Sequence, residues 1–208
     1  AQPQGMYIAD RGNRLQIMQE LAASVGATVT TTYAGKMILV RVGFGSSAGA
    51  IGTREMVDGT FAPVARPEVR GTIRLNGEKN WTPQPASGLA GALTSSQLPL
   101  FGNEWVTLSD TDATVVSNWY QNTTPPAVNT LMVVEADITT ECTRLLALWK
   151  VQRVVYAFDA FPECFQYEIG DTVTLTHPRF GLSGGVSAQI VGVVSDWINS
   201  KVRLEVLV

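Results

Sequence analysis

The single histidine of this 208-residue chain, His177, limits the acid–base chemistry on offer. A Ser-His-Asp arrangement would have to join His177 to Asp171 or Asp196 as the orienting carboxylate and to Ser183 or Ser187 as the nucleophile. Ser183 lies in no G-x-S-x-G elbow, and His177 stands at a strand end directly before Pro178, a place that reads as turn structure. Glycoside hydrolysis would need two carboxylates roughly 5 to 10 Å apart. Glu104, Asp110, Asp112, Glu163 and Glu168 are available, yet 18 acidic residues make accidental pairs inevitable, and ordinary surface carboxylates account for them. The expectation is that the chain is not an enzyme.

Metal and cofactor chemistry find no better footing. Cys142, Cys164 and His177 lack the close spacings of zinc ligands. Asp110-Thr111-Asp112 lacks the glycine and distal glutamate of an EF-hand loop, so a solvated turn explains it. The glycine-rich run from Gly43 to Gly52 follows a strand, but it has neither the Lys-Ser or Lys-Thr of a P-loop nor dinucleotide glycine spacing. No metal and no cofactor are expected. The two cysteines would meet only if the segment around Cys164 folded back on the helix bearing Cys142, and they read as reduced core residues.

What remains is surface for contact. Five tryptophans, Trp81, Trp105, Trp119, Trp149 and Trp197, mark either a carbohydrate-stacking face or a protein interface. Trp149 belongs to a helical stripe. Trp197 and Ile198 fall at the tip of the last hairpin, and Phe180 and Leu182 occupy the loop before it, places where a monomer has no need of apolar side chains. Phe180, Leu182, Trp197 and Ile198 are therefore the interface candidates, against the plainer alternative that they fold back on their own domain.

The elements that position these residues follow from apolar spacing. Ile138, Cys142, Leu145, Leu146 and Trp149 recur at three and four residues and predict a helix over about 138–150, N-capped by Asp137, Thr139 or Thr140 and packed across the sheet that follows it. After Lys150 the period becomes two, through Val151, Val154, Val155, Tyr156 and Phe158, and three further strands are predicted over 171–177, 187–195 and 201–208. Upstream, Leu15, Met18, Leu21, Ala22 and Val25 predict a buried helical face stopped by Gly26, and a hairpin turning at Ala34-Gly35 follows. Tyr7 and Ile8, within the opening segment Gly5 to Arg11, are offered as an edge strand. The middle reads as a connector with Pro63 and Pro67, a strand over 69–75 ending at Asn76-Gly77, a short helical piece near Leu89, and strands over 104–108, 114–120 and 130–136. The fold class expected is α+β, mostly β: antiparallel sheets or a small barrel with one packed helix, preceded by a helix-plus-hairpin unit. The division expected is a helix-and-hairpin lobe over 1–52 and a β-rich, barrel-like domain over 53–208.

Composition narrows the partners. Net charge is −3 with 45% hydrophobic and 16% charged residues, so there is no basic face of the kind that grips nucleic acid. A surface sparse in charge desolvates more readily in protein contacts. No apolar run is long enough to span a bilayer. A chain opening on Ala1 without Met is expected to be trimmed, or excised from a longer polypeptide.

The order of features from Asp137 onward is a Leu/Ala-rich helix, a strand with Tyr156 and Phe158, the Gly170-Asp171 turn, a Thr/Val strand ending at His177-Pro178, and a closing hairpin at Asp196. In that order the last third of the chain resembles the C-terminal part of hub proteins from the tail tips and baseplates of tailed bacteriophages and prophages. The segments over 13–43 and 56–85 resemble the helix-plus-hairpin and the joining stretch of such proteins. The resemblance implies a structural component that forms a ring, a trimer, around the tail channel, contacts other phage tail proteins, and resides in the virion tail after assembly in the bacterial host cytoplasm. The alternative is a carbohydrate- or receptor-binding β-domain of a tail or cell-surface protein.

Overall fold

The change of apolar period after Lys150 is matched by a change from helix to sheet in a computed structural model, which describes residues 2–8, 13–88, 91, 93–94 and 97–208. In chain order the elements are α1 (Arg14–Ser24), β1 (Ala27–Thr31), β2 (Met37–Arg41), β3 (Ser47–Ile51), β4 (Ala62–Ala65), β5 (Thr72–Gly77), α2 (Leu98–Gly102), β6 (Val106–Thr111), α3 (Ala113–Asn118), β7 (Val128–Asn129), α4 (Glu135–Trp149), β8 (Val155–Ala160), β9 (Thr172–Leu175), β10 (Val186–Asp196) and β11 (Lys201–Leu207). The class is α+β and mostly β. The short helical piece expected near Leu89, and residues 9–11 of the opening segment, lie outside the described residues.

The chain forms two compact units: Ala1–Gly26 with Val69–Val151, and Ala27–Glu68 with Gln152–Val208. This interleaved division contrasts with the linear boundary near residue 52 read from the sequence. A boundary read from composition sees neighbours along the chain, whereas a compact unit is defined by which strands pair.

In the first unit β5 is the central strand of a three-stranded sheet, order β6-β5-β7. Ile138, Cys142 and Leu146, at helical spacing on α4, are buried against Ile73, Leu75 and Met132. The expected stripe is correct, but α4 covers β5 and β6 and not the sheet that follows it. Close approach is possible because Gly77 has no side chain: a Cβ there would clash with Ile138 Cδ1 and lie 2.9 Å from Ile138 Cγ1 and 3.0 Å from the Met132 carbonyl. Val134 is the N-cap of α4 and gives no side-chain cap, while Thr139 and Thr140 bond back to the carbonyls of Glu135 and Ala136. Glu141, 1% exposed, is neutralised by Arg144 at 2.6 Å.

Two sequence expectations fail here for local reasons. Where a strand was expected over 114–120, Ala113–Asn118 form the helix α3, because the Asp112 carboxylate accepts from the Val115 N–H and caps it. The strand expected over 130–136 does not form: β7 covers only Val128–Asn129, Met132 makes an isolated bridge to Gln4, and α4 begins at Glu135. On α1, whose N-cap is Asn13, only Ala22 and Ser24 are buried, so Leu15 and Met18 are exposed instead of forming the expected core face. Tyr7 and Ile8 are exposed and join no strand, and the nearby bridge is from Gln4 to Met132.

The second unit holds a six-stranded sheet, order β3-β9-β10-β11-β8-β4. Only the β3–β9 pair is parallel. Its alternation is visible in β11, where Val202, Leu204 and Val206 are fully buried with Phe158, Leu175 and Ile190. Among the described residues this sheet has two ends and does not close into a barrel. The β4 end is blunted by Pro63 and by a register shift between Pro63 and Ala65. β1 and β2 form a separate two-stranded hairpin.

Candidate assembly surface

The tip joining β10 to β11 is built by one carboxylate. Asp196 accepts from the Asn199 backbone N–H at 3.1 Å and from its side-chain amide at 2.6 Å, and these bonds hold the Asp196 carboxyl below its ordinary range. Ser200 takes φ +52°, which completes the reversal. Trp197 and Ile198 are left on the outside of the turn. The Trp197 ring stacks on Phe165 with centroids 4.3 Å apart and planes 7° apart, so it is held flat, and it remains 67% exposed. Ile198 is 94% exposed. Two of the four interface candidates thus lie together at one end of the sheet.

The other two part company. Leu182 is 3% exposed and packs in the core with Leu175 and Ile51; it offers no surface, because the turn that carries it folds inward against the sheet. Phe180 is half exposed, with φ +60°, a conformation that a bulky side chain disfavours. Gly181 follows at φ +75°, and the Leu182 N–H closes the turn on the Arg179 carbonyl. Phe180 is held there by Phe61 and Tyr156, at ring-centroid distances of 5.9 and 5.4 Å.

The hairpin β1–β2, predicted from its turn at Ala34-Gly35, forms as expected, but its exposed apolar residues were not among the interface candidates. Tyr33 at its turn gives its N–H to Glu168 at 2.8 Å, and its hydroxyl lies 3.3 Å from that of Ser195, one residue before the β10–β11 tip. Ile38 and Val40 turn partly inward, while Met37 and Leu39 on the opposite face are exposed, Leu39 at 64%. The signal was present in the run Met37-Ile38-Leu39-Val40, which is apolar on both faces of a strand where one face would suffice.

The residues considered for chemistry are engaged elsewhere. His177 stacks on Phe61 at 4.1 Å and accepts the Arg179 N–H at Nδ1, 3.1 Å away. The structure does not bring it to Asp171, which accepts from the Glu168 N–H, or to Asp196 in its turn. Asp110 accepts from Thr111 and Thr143; with Asp112 and Lys150 it lines a shallow hollow beside α4. Among the described residues no cluster of three His, Cys, Asp or Glu is placed to hold a metal ion, and no helix is long and apolar enough to cross a membrane. Cys142 and Cys164 are free and buried, and burial pushes both thiols up to about 11. Of the remaining tryptophans, Trp81 and Trp105 flank the Lys79 ammonium at 4.3 and 4.9 Å, which clasps the neck of the β5–β6 excursion.

No protein-family model matches the chain, and no curated protein matches it in sequence. Solved structures do match in shape. A chain in the virion of a native gene transfer agent particle superposes with a TM-score of 0.57 at 16% identity, over 89% of this chain. The tail protein from Neisseria meningitidis MC58 superposes with a TM-score of 0.53 at 10% identity, over 97% of this chain. The fold is one found in tail proteins. This chain spans 37% and 56% of the length of those two, so it corresponds to a part of each. At the level of fold, the resemblance to tail proteins read from Asp137 onward holds, and it extends over nearly the whole chain.

Proposed function

We propose that the chain is a structural component of a phage or prophage tail tip, a hub or baseplate part that assembles with its own copies, as a trimer, into a ring around the tail channel. The observation that carries this reading is the fold shared over 97% of the chain with a tail protein. The exposed apolar tip at Trp197 and Ile198 supports it, because such side chains gain by burial between neighbours. The role is structural and not catalytic, the other partners are tail proteins, and the site of action is the virion tail after assembly in the host cytoplasm. A net charge of −3 suits a wall past which a polyanion slides without binding.

The test is the mass of the protein by sedimentation over a wide concentration range, with negative-stain imaging of the largest species. Concentration-dependent trimers that image as rings are expected. A monomer throughout that binds oligosaccharides saturably would overturn the reading in favour of the carbohydrate-binding alternative, for which the flat, exposed Trp197 ring would be the platform.

A further inference from the structure

Beyond β7 the chain stays beside β5. The Thr130 N–H bonds to the Asn76 carbonyl and the Glu78 N–H to the Met132 carbonyl, both at 2.8 Å. The far edge of residues 131–133 then needs a cover, because Met132 is fully buried and an open strand edge leaves main-chain groups unpaired. Residues 3–5 supply that cover. The Gly5 N–H bonds to the Leu131 carbonyl at 2.8 Å, the Val133 N–H bonds to the Pro3 carbonyl at 3.4 Å, and Gln4 and Met132 form an antiparallel bridge between them.

This cover is held by its main chain. None of residues 2–8 is buried, so no buried side chain anchors the segment. The net gain from so few bonds at an edge is no larger than the entropy cost of ordering the residues that make them, so the segment exchanges on and off its edge. The steric demand at this edge comes at Gly5, where a Cβ would lie 2.9 Å from Val133 Cγ1. Val133 is β-branched and turns aside with difficulty, so an incoming strand needs glycine at that place. The segment shown to meet this demand is the chain's own. Nine residue steps separate Gly5 from Arg14 at the start of α1, a reach of up to about 30 Å. In isolation that short tether favours the copy's own edge, whereas between copies held side by side a neighbour's edge competes with it.

We propose that residues 3–5 of one copy pair with residues 131–133 of the next in the assembled state, an exchange of identical strands that ties neighbouring copies together. Both sides of the pairing lie in the unit Ala1–Gly26 with Val69–Val151. The proposal rests on the ring reading above and names a link between its copies.

The test mixes equal amounts of two variants, Pro3→Cys and Val133→Cys, treats them with a short bismaleimide and separates the products on a denaturing gel. The Gln4–Met132 register sets these positions opposite each other, and both are exposed, so neither substitution empties a core site. Cys142 and Cys164 are buried, and the wild type treated alike gives the background. Cross-linked dimers in excess of those from either variant alone are expected at concentrations where the wild type associates. Adding Gly5→Val to the Pro3→Cys protein should lower their yield roughly tenfold, as overpacking at a close contact does, with thermal melts as the control for folding. The double variant Pro3→Cys/Val133→Cys should cross-link within one chain when dilute. Cross-links that stay within single chains while the wild type associates, or mixed dimers that Gly5→Val leaves untouched, would overturn the exchange and leave the ring reading standing. So would the lack of any cross-link in both the double variant and the mixture. A wild type that never associates would overturn both.

Discussion

Replacing Gly77 by alanine tests how α4 is seated on its sheet. The new Cβ would clash with Ile138 Cδ1 and lie 2.9 Å from Ile138 Cγ1 and 3.0 Å from the backbone carbonyl of Met132. Ile138 and Met132 are fully buried, so neither has free space to retreat into. Overpacking of this kind costs about 1 to 3 kcal/mol. Gly77 is the last residue of β5, so replacing it returns less than the roughly 0.5 to 1 kcal/mol of a strand-interior glycine, and the net loss should be about 0.5 to 2.5 kcal/mol. Ile138→Val deletes the methyl in closest conflict and by itself costs about 0.5 to 1.5 kcal/mol. In the double variant Gly77→Ala/Ile138→Val the added methyl occupies the space the deleted one leaves, and the loss should fall at least 1 kcal/mol short of the sum of the singles. Equilibrium urea unfolding of the four proteins measures this. Additivity within about 0.5 kcal/mol, or a Gly77→Ala protein as stable as the wild type, would refute the claim that this glycine sets the helix–sheet distance.

Two residues of one turn should respond in opposite ways. Leu182→Ala empties a core site and should cost about 2 to 5 kcal/mol, whereas Phe180→Asn relieves a left-handed backbone strain of about 1 to 2 kcal/mol while giving up a half-exposed ring, and should leave stability within about 1 kcal/mol of wild type in the same urea assay. The buried thiols predict a loss of stability in alkali. Because their folded pKa is raised to about 11 from the ordinary 9.0, the unfolded chain releases these protons first, so the contribution is intact below pH 9 and is lost as pH rises towards 11. Two pH units correspond to about 2 to 3 kcal/mol for each thiol. Unfolding under reducing conditions at pH 8, 9 and 10 should show a steeper decline in the wild type than in Cys142→Ala/Cys164→Ala, and equal slopes would refute the assignment.

The periodicities of α4 and β11 were legible because one buried face decides the packing of each, whereas that of α1 was not, since Leu15 and Met18 stay exposed. Ile138, Cys142 and Leu146 are the buried stripe of α4, and Val202, Leu204 and Val206 the buried row of β11. Capping chemistry was less legible: Asp112 looked like part of a turn before a strand, and only its bond to the Val115 N–H makes the next residues a helix. The exposure of Trp197 and Ile198 was legible because two adjacent large apolar residues at a hairpin tip have no local partner. Leu182 was not, because a loop residue is buried or exposed according to which way its turn folds, and that depends on the sheet beneath.

By itself, then, the sequence determined the fold class, most of the elements though not α3, and the lack of any strong catalytic or metal-ligand motif in its spacing, since these depend on residue type and local spacing. Which strands pair, and therefore which sheet α4 covers and how the two units interleave, depended on contacts between residues far apart in the chain. Only the tertiary structure decided them. The same holds for the link from Tyr33 to Ser195, which ties the β1–β2 turn to the β10–β11 tip: 162 positions separate the two hydroxyls, and no pattern along the chain records that they lie 3.3 Å apart.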